Sequence, residues 1–312
     1  MFETEDYGNG IYCVESGYDG GGVAAIYIIR DGKNAAVVDT ANNESLGRVT
    51  RALDELGIAR DGISHIFLTH VHLDHAGGAG VFAGEFPNAR VVVHERGAKH
   101  IINPEKLVAG ATEVYGAETV ERLYGKIVPV DAGRITSPRD GDEFRVGKHT
   151  IVCLDTPGHA RHHLAFQDTA ANIVFTGDAF GMSYKELVKP EGRCAILTTS
   201  PVQFDPDAMR GSMRGIESLK PDGLYPTHFG RMPAKGAMID SLYRQLDTYV
   251  KIANDSEGNL NLIKDGLMKL FQEEAASQGC PCLASPTGRV TNVALELNAN
   301  GLALWYKKQN KK

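Results

Sequence analysis

Short apolar runs separated by glycine-rich turns dominate the chain from residue 11 to residue 39. Ile11–Val14, Val23–Ile29 and Ala35–Asp39 read as strands of a meander. The period then changes. Leu46, Val49, Leu53 and Leu56 fall at helical spacing, and Gly57 follows as a C-terminal stop. A strand over Ser64–Thr69, a helix near 76–84, a strand over Arg90–His94 and a helical region over 104–124 come next. The second half repeats the theme, with strands at Thr150–Asp155, His163–Gln167, Asn172–Thr176 and Gly223–Tyr225. A helix across Asp207–Leu219 is announced by the cap residue Asp205 and the first-turn proline Pro206.

From about Pro233 onward the pattern is helical throughout, over Met238–Ile252, Leu260–Ala275 and Val290–Lys308, with an interruption expected at Asn298–Gly301. The change of period divides the chain into a β-rich part, residues 1–232, and a mainly helical extension, residues 233–312.

Composition narrows the function classes. The 312 residues suffice to bury a core without covalent staples, and five scattered cysteines do not read as a disulfide framework. A reducing, cytoplasmic setting is expected, because the acidic start Met1–Asp6 has no basic segment followed by an apolar run. No membrane span is visible. A net charge of −6 argues against a dedicated nucleic-acid partner, which needs basic surface to displace counterions from phosphates. Cys280-Pro281-Cys282 lacks the spacing of a zinc ribbon or redox pair, and is expected to be structural.

The chemistry is concentrated at the end of the 64–69 strand. His70, His72, Asp74 and His75 put three imidazoles and a carboxylate within six consecutive residues, in a chain with eleven histidines. Neutral imidazole is the commonest metal ligand, and carboxylate joins it for zinc, iron or manganese. The glycine-rich stretch Ala76–Gly80 is expected to let the backbone curl so that these groups converge.

Three further motifs follow in order: Thr156-Pro157-Gly158-His159, Thr176-Gly177-Asp178 and Pro226-Thr227-His228. Together with the first, they resemble the metal-binding signature of the metallo-β-lactamase-fold superfamily. The resemblance implies an α/β fold, the four-layer αβ/βα sandwich with a C-terminal helical extension that caps the site or forms a homodimer interface. It implies a first metal held by His70, His72 and His159, a second held by Asp74, His75 and His228, and Asp178 bridging the two. Asp74 is then also a candidate proton acceptor in catalysis. Two divalent metal ions are the implied cofactors, zinc first, with iron and manganese open. A hydroxide between them would attack a small-molecule ester, thioester or lactone. The motifs are similar to those of glyoxalase-II-like and lactonase-like members, without choosing among them. Phosphodiester hydrolysis by the same centre, and a non-catalytic metal-containing sensor, are the alternatives.

Other positions carry weaker signals. Asp39 occupies the place of a superfamily aspartate that supports the metal-binding loop, although Ala41-Asn42 follows where glycine is usual. His162 and His163 are candidates for supporting or substrate-facing roles, with one expected to point away from the site by strand alternation. Tyr184, Lys185 and Lys189 lie within reach of a cleft beside Asp178.

Overall fold

A computed structural model describes residues 4–189, 192–199, 202–280 and 289–311. Two sheets face one another. The first runs in simple chain order through β1 (Thr4–Asp6), β2 (Ile11–Glu15), β3 (Ala25–Asp31), β4 (Asn34–Val38), β5 (Ile63–Phe67), β6 (Arg90–Val92) and β7 (Ile135–Thr136). It is antiparallel as far as β4 and parallel from β4 to β7. The second contains β8 (Glu143–Val146), β9 (His149–Asp155), β10 (Leu164–Asp168) and β11 (Ile173–Phe175), with β14 (Gly223–Tyr225) parallel to β11 at its edge. Strands β12 (Val188–Lys189) and β13 (Gly192–Arg193) form a separate small pair.

Side-chain alternation along the strands sorts the interior into three apolar layers. Ala25, Tyr27 and Ile29 of β3 point between the sheets, where they meet Phe67, Phe166, Phe175 and Tyr225. Ile26 and Ile28 point the other way, against Val49 and Leu53 of α1 (Leu46–Glu55) and Phe82 of α3 (Ala79–Glu85). Val174 and Leu224 face α7 (Pro206–Ser218) and the C-terminal helices α8 (Ala237–Asp255), α9 (Leu260–Ser277) and α10 (Arg289–Gln309). The order is therefore helix, sheet, sheet, helix. Leu242, Leu246, Tyr249, Leu267 and Leu302 belong to the same apolar layer as the second sheet, so the C-terminal helices lie directly on it.

Helix starts follow their local chemistry. The Asp205 carboxylate accepts the Ala208 N–H at 3.1 Å, with Pro206 in the first turn of α7. Gly57 takes a left-handed φ of 66° just past α1. Several expectations need correction. The region 104–124 is two helices, α5 (Glu105–Tyr115) and α6 (Ala117–Tyr124), because Gly116 adopts φ 83° between them. A further helix, α4 (Glu95–Ile102), precedes them. No break occurs at Asn298–Gly301: α10 continues through it, and the Asn298 side chain turns inward to accept the Thr199 N–H at 2.7 Å and to donate to the Leu197 carbonyl. Cys13, Cys153, Cys194 and Cys280 are buried, whereas Cys282 lies outside the described residues. Among the described residues, no helix is long and apolar enough to cross a membrane.

Candidate metal centre

The parallel strands β4 and β5 end side by side, and each delivers part of the site. Beyond β5 the chain places His70 and His72, then turns once through α2 (Leu73–Ala76), which carries Asp74 and His75. Gly77 and Gly78 permit this turn for a reason other than the one expected. Both have ordinary helical φ values, of −60° and −85°, so left-handed freedom is not what they supply. A Cβ on Gly78 would come within 2.7 Å of the Asn42 carbonyl oxygen and 2.8 Å of that of Thr40. Their smallness lets the motif pack directly on the segment after β4.

The structure brings the seven motif residues together in three overlapping groups. His70 Nε2 and His159 Nε2 lie 2.8 and 3.0 Å from His72 Nδ1. This is close to the ~3.3 Å separating two nitrogens held at about 2.0–2.1 Å from one tetrahedral ion. Asp178 faces two ways: Oδ2 is 3.5 Å from His159 Nε2, while Oδ1 is 3.5 Å from His75 Nε2 and 3.8 Å from His228 Nε2. Asp74 Oδ2 completes the far side, 3.3 Å from His228 Nε2 and 3.8 Å from His75 Nε2. Within each of the groups His70–His72–His159, His70–His75–Asp178 and Asp74–His75–His228, the candidate ligand atoms lie within 4.8 Å of one another.

Two orphaned atoms test whether this arrangement fits a metal. His75 Nε2 and Asp178 Oδ1 are both buried without a hydrogen-bond partner, and they face each other. Leaving such atoms unsatisfied is costly, and a cation between them would satisfy both. The donor set of imidazole and carboxylate suits zinc, iron or manganese. The residues fit the group.

Electrostatics divide the cluster. Burial holds His70 and His159 well below the ordinary imidazole value, with the neighbouring histidines adding to the effect, so both rings are neutral as ligation requires. His72 is also lowered, chiefly by burial. His75 is the opposite case. Burial opposes its charge, but the Asp178, Asp74 and Asp39 carboxylates outweigh this and push it up to about 10. His228 is raised as well, burial again being overcome by Asp178 and Asp74.

Asp39 is the joint of the site. It sits fully buried just past β4 at φ 58°, a left-handed conformation that aspartate tolerates better than most residues. Its carboxylate accepts from Thr69 N at 2.8 Å, Thr69 Oγ1 at 2.8 Å, Thr227 Oγ1 at 2.6 Å and His75 Nδ1 at 2.9 Å. One side chain thus ties together the residue before His70, the residue before His228 and the ring of His75. The absence of glycine after it is accommodated by Ala41, itself at φ 47°.

His162 and His163 both turn toward the cluster, their rings 6.2 and 5.0 Å from that of His70. His162 lies in the turn before β10, where strand alternation does not apply, and it lines the cavity. His163 stands behind, bonded to Thr156 Oγ1 at 2.8 Å and accepting the Asp178 N–H at 3.1 Å. Gly177 makes this packing possible, since a Cβ there would lie 2.6 Å from His163 Nε2. Tyr184 is buried with its ring 5.5 Å from that of His228. Lys185 points away, over the ring of Phe229 and 3.5 Å from the Glu15 carboxylate. The side chain of Lys189 lies outside the described residues.

Above the cluster opens a cavity of about 290 Å³, roofed by α5 and by Leu297 of α10. Among the wall residues that sequence reasoning missed are Tyr115 and Tyr124. The Tyr124 hydroxyl lies 2.6 Å from that of Tyr18, which ties α6 to the turn before β3. No local signal marks this pair, because its partners are 106 residues apart.

Residues 19–228 match the family model of the metallo-beta-lactamase superfamily. The chain belongs to this superfamily. A metallo-beta-lactamase fold-containing protein of Sulfurisphaera tokodaii is 28% identical over 217 residues, covering 68% of this chain and 75% of that protein. An acyl-coenzyme A thioesterase of Bos taurus, a hydrolytic enzyme, is 27% identical over 192 residues, covering 57% of this chain and 66% of its own length. The chain spans smaller shares of other curated relatives, 60% of one from Bacillus subtilis and 37% of one from Pestalotiopsis microspora. Among solved structures, a metallo-beta-lactamase family protein of Thermus thermophilus superposes with a TM-score of 0.64 at 20% identity, covering 98% of this chain and 95% of that one. That likeness extends the shared fold through the C-terminal helices.

Proposed function

We propose that this protein is a dinuclear metal-dependent hydrolase acting on an ester, thioester or lactone of a small molecule. The observation that carries the reading is the two-faced Asp178 carboxylate, with one oxygen toward His159 and the other toward His75 and His228. His70, His72 and His159 would hold one divalent ion, Asp74, His75 and His228 the other, and Asp178 would join them. When bound, such a pair supplies Lewis acidity and lowers the pKa of coordinated water toward neutrality. Zinc is the first expectation, with iron and manganese as alternatives.

The chain's own residues perform the remaining tasks. Water would supply the attacking oxygen. The Thr199 hydroxyl is committed to the Asn298 carbonyl. Asp39 fixes the ring plane of His75, and by accepting a hydrogen bond from Nδ1–H would leave Nε2 as the atom offered to a metal. Asp74, partly exposed at the cavity floor, is the candidate to pass a proton between water and a leaving group, and His75 and His228 hold its carboxyl well below the ordinary carboxylate range. Residues 1–232 would thus carry the chemistry, and residues 233–312 would support the second sheet and close the cavity through Leu297.

The apolar cavity wall and the net charge of −6 favour a carbonyl substrate over a phosphodiester. The similarity to a named thioesterase points the same way. The test is a panel of thioesters, lactones and a phosphodiester, presented to metal-loaded and chelator-stripped protein. Turnover of a carbonyl substrate that disappears on stripping and returns with metal is expected. Phosphodiester turnover alone, or turnover indifferent to stripping, would overturn the proposal.

A further inference from the structure

Helix α5 is anomalous among the helices of the fold. Its sequence from Glu105 to Tyr115 carries Leu107, Val108, Ala111, Val114 and Tyr115, yet none of its residues is buried. An apolar helix normally hides its apolar stripe. Here Leu107, Val108 and Ala111 rest only half-buried against the first apolar layer, and Leu107, Ala111, Val114 and Tyr115, with Lys106 and Glu113 beside them, line the cavity that ends on His72, Asp74, His159 and Asp178. Val114 is 46% exposed, and Val202, which also lines the cavity, 53%.

This clustering extends around the mouth. Of the seven large apolar side chains recorded as exposed among the described residues, four (Val114, Tyr115, Val202 and Val293) line the cavity or the recess beside it. That second recess, of about 210 Å³, opens from the same Asp74 and His228 on the other side of Tyr115 and Leu297. A molecule cleaved at the cluster can therefore extend in two directions. Exposed apolar side chains gathered around a cavity mark a binding surface, whereas scattered ones need no explanation.

We infer that the substrate carries an apolar acyl chain, and that this chain lies along α5 against Leu107, Ala111 and Val114, in the cavity that Val202 also lines. The inference rests on the hydrolase reading for the site of cleavage, and adds the class of molecule cleaved. Continuity selects the occupant: the apolar face is the wall of the cavity containing the Asp74–His228 floor, so the group covering it is joined to the group reacting there. Burying a methylene favours binding by about three- to fourfold. A chain several carbons long therefore gains two orders of magnitude or more over acetyl, if fully covered.

Two experiments separate this inference from the reading beneath it. Calorimetric titration with acetate, hexanoate and decanoate reads binding without turnover, and metal-loaded protein assayed on acetyl, hexanoyl and decanoyl thioesters of one thiol reads kcat/KM. Both affinity and kcat/KM are expected to rise with chain length, and Val114→Asp is expected to cut the decanoyl-to-acetyl ratio at least tenfold. Val114 is exposed, so this variant should fold, and a melting curve checks it. Decanoate binding without hydrolysis of any ester would uphold the apolar site and sink the hydrolase. Hydrolysis with no chain-length preference, or a preference untouched by Val114→Asp, would sink the apolar site alone. Sedimentation of the protein without ligand provides a further check: a dimer that Val114→Asp dissociates would assign the α5 face to a second copy and overturn the inference.

Discussion

Replacing Asp39 by asparagine is expected to weaken metal binding through a proton rather than through a lost ligand. The carboxylate accepts hydrogen bonds from four donors, Thr69 N, Thr69 Oγ1, Thr227 Oγ1 and His75 Nδ1. Asparagine keeps the shape and tolerates the left-handed φ of 58°, so the backbone need not move. Its amide has only one acceptor oxygen. If that oxygen stays with Thr69 N, the NH2 group meets Thr227 Oγ1 and His75 Nδ1, formerly served by Oδ2. The threonine hydroxyl can rotate to accept, but the imidazole can accept at Nδ1 only by moving its proton to Nε2. Nε2 is the atom facing Asp178 and Asp74. Changes to such ligand-orienting partners typically cost 10–100-fold in metal affinity, equivalent to about 1.4–2.7 kcal/mol. The lost charged hydrogen bonds should add a stability loss of roughly 1.5–3 kcal/mol in metal-free protein. Competition with a chromophoric chelator at fixed pH reads the affinity, and urea unfolding of stripped protein reads the stability. Thr227→Val removes one donor without disturbing the tautomer, so its effect on affinity should be clearly smaller. Equal metal affinity for Asp39→Asn and the parent protein, within twofold, would refute the tautomer argument.

Three further outcomes are expected. Gly78→Ala should lower the melting temperature and the metal content together, because the new Cβ meets the carbonyl oxygens of Thr40 and Asn42; elemental analysis beside a thermal melt reads both, and a normal metal content would show that the approach is not needed. Asp168→Ala, remote from the metal cluster, should cost about 3–5 kcal/mol in denaturant unfolding, since it strands buried His149, whose Nδ1 lies 2.6 Å from the carboxylate, together with the Ala170 and Ala171 N–H groups. The same pair has a pH signature: burial opposes charge on His149, but Asp168 raises its pKa above the ordinary value. Its contribution is therefore complete below about pH 6.5 and falls as pH rises through the raised value. Melting curves across this window should show that loss in the parent and not in Asp168→Asn.

The cluster was legible in the sequence because its residues lie close together or follow fixed local motifs, and because strand ends bring such motifs to one edge of a sheet. His70, His72, Asp74 and His75 share a single strand-to-helix turn, so little tertiary information was needed to place them together. Asp39 was legible as a supporting residue, but not as the link between Thr69 and Thr227, a pairing that depends on how the two sheets face each other. The role of Gly78 was misread for the same reason: the limit on its size comes from the carbonyls of Asn42 and Thr40, 36 and 38 residues away, which no local pattern contains. Strand β7 was missed because its two residues are too few to show a period. Asn298 was read as a helix breaker because asparagine in isolation favours caps and turns, whereas here its amide is spent on residues 197 and 199. The apolar face of α5 had a helical period, but periodicity alone cannot distinguish a face covered by the core from one left open over a cavity.

The most direct test is elemental analysis of the parent protein and of Asp178→Ala, both purified without added metal, with hydrolysis assayed on the same samples. About two zinc, iron or manganese ions per chain, falling to one or fewer in Asp178→Ala together with loss of turnover, is the predicted result. Unchanged metal content in the folded variant, or a parent protein that hydrolyses its substrate with no bound metal, would contradict the dinuclear centre.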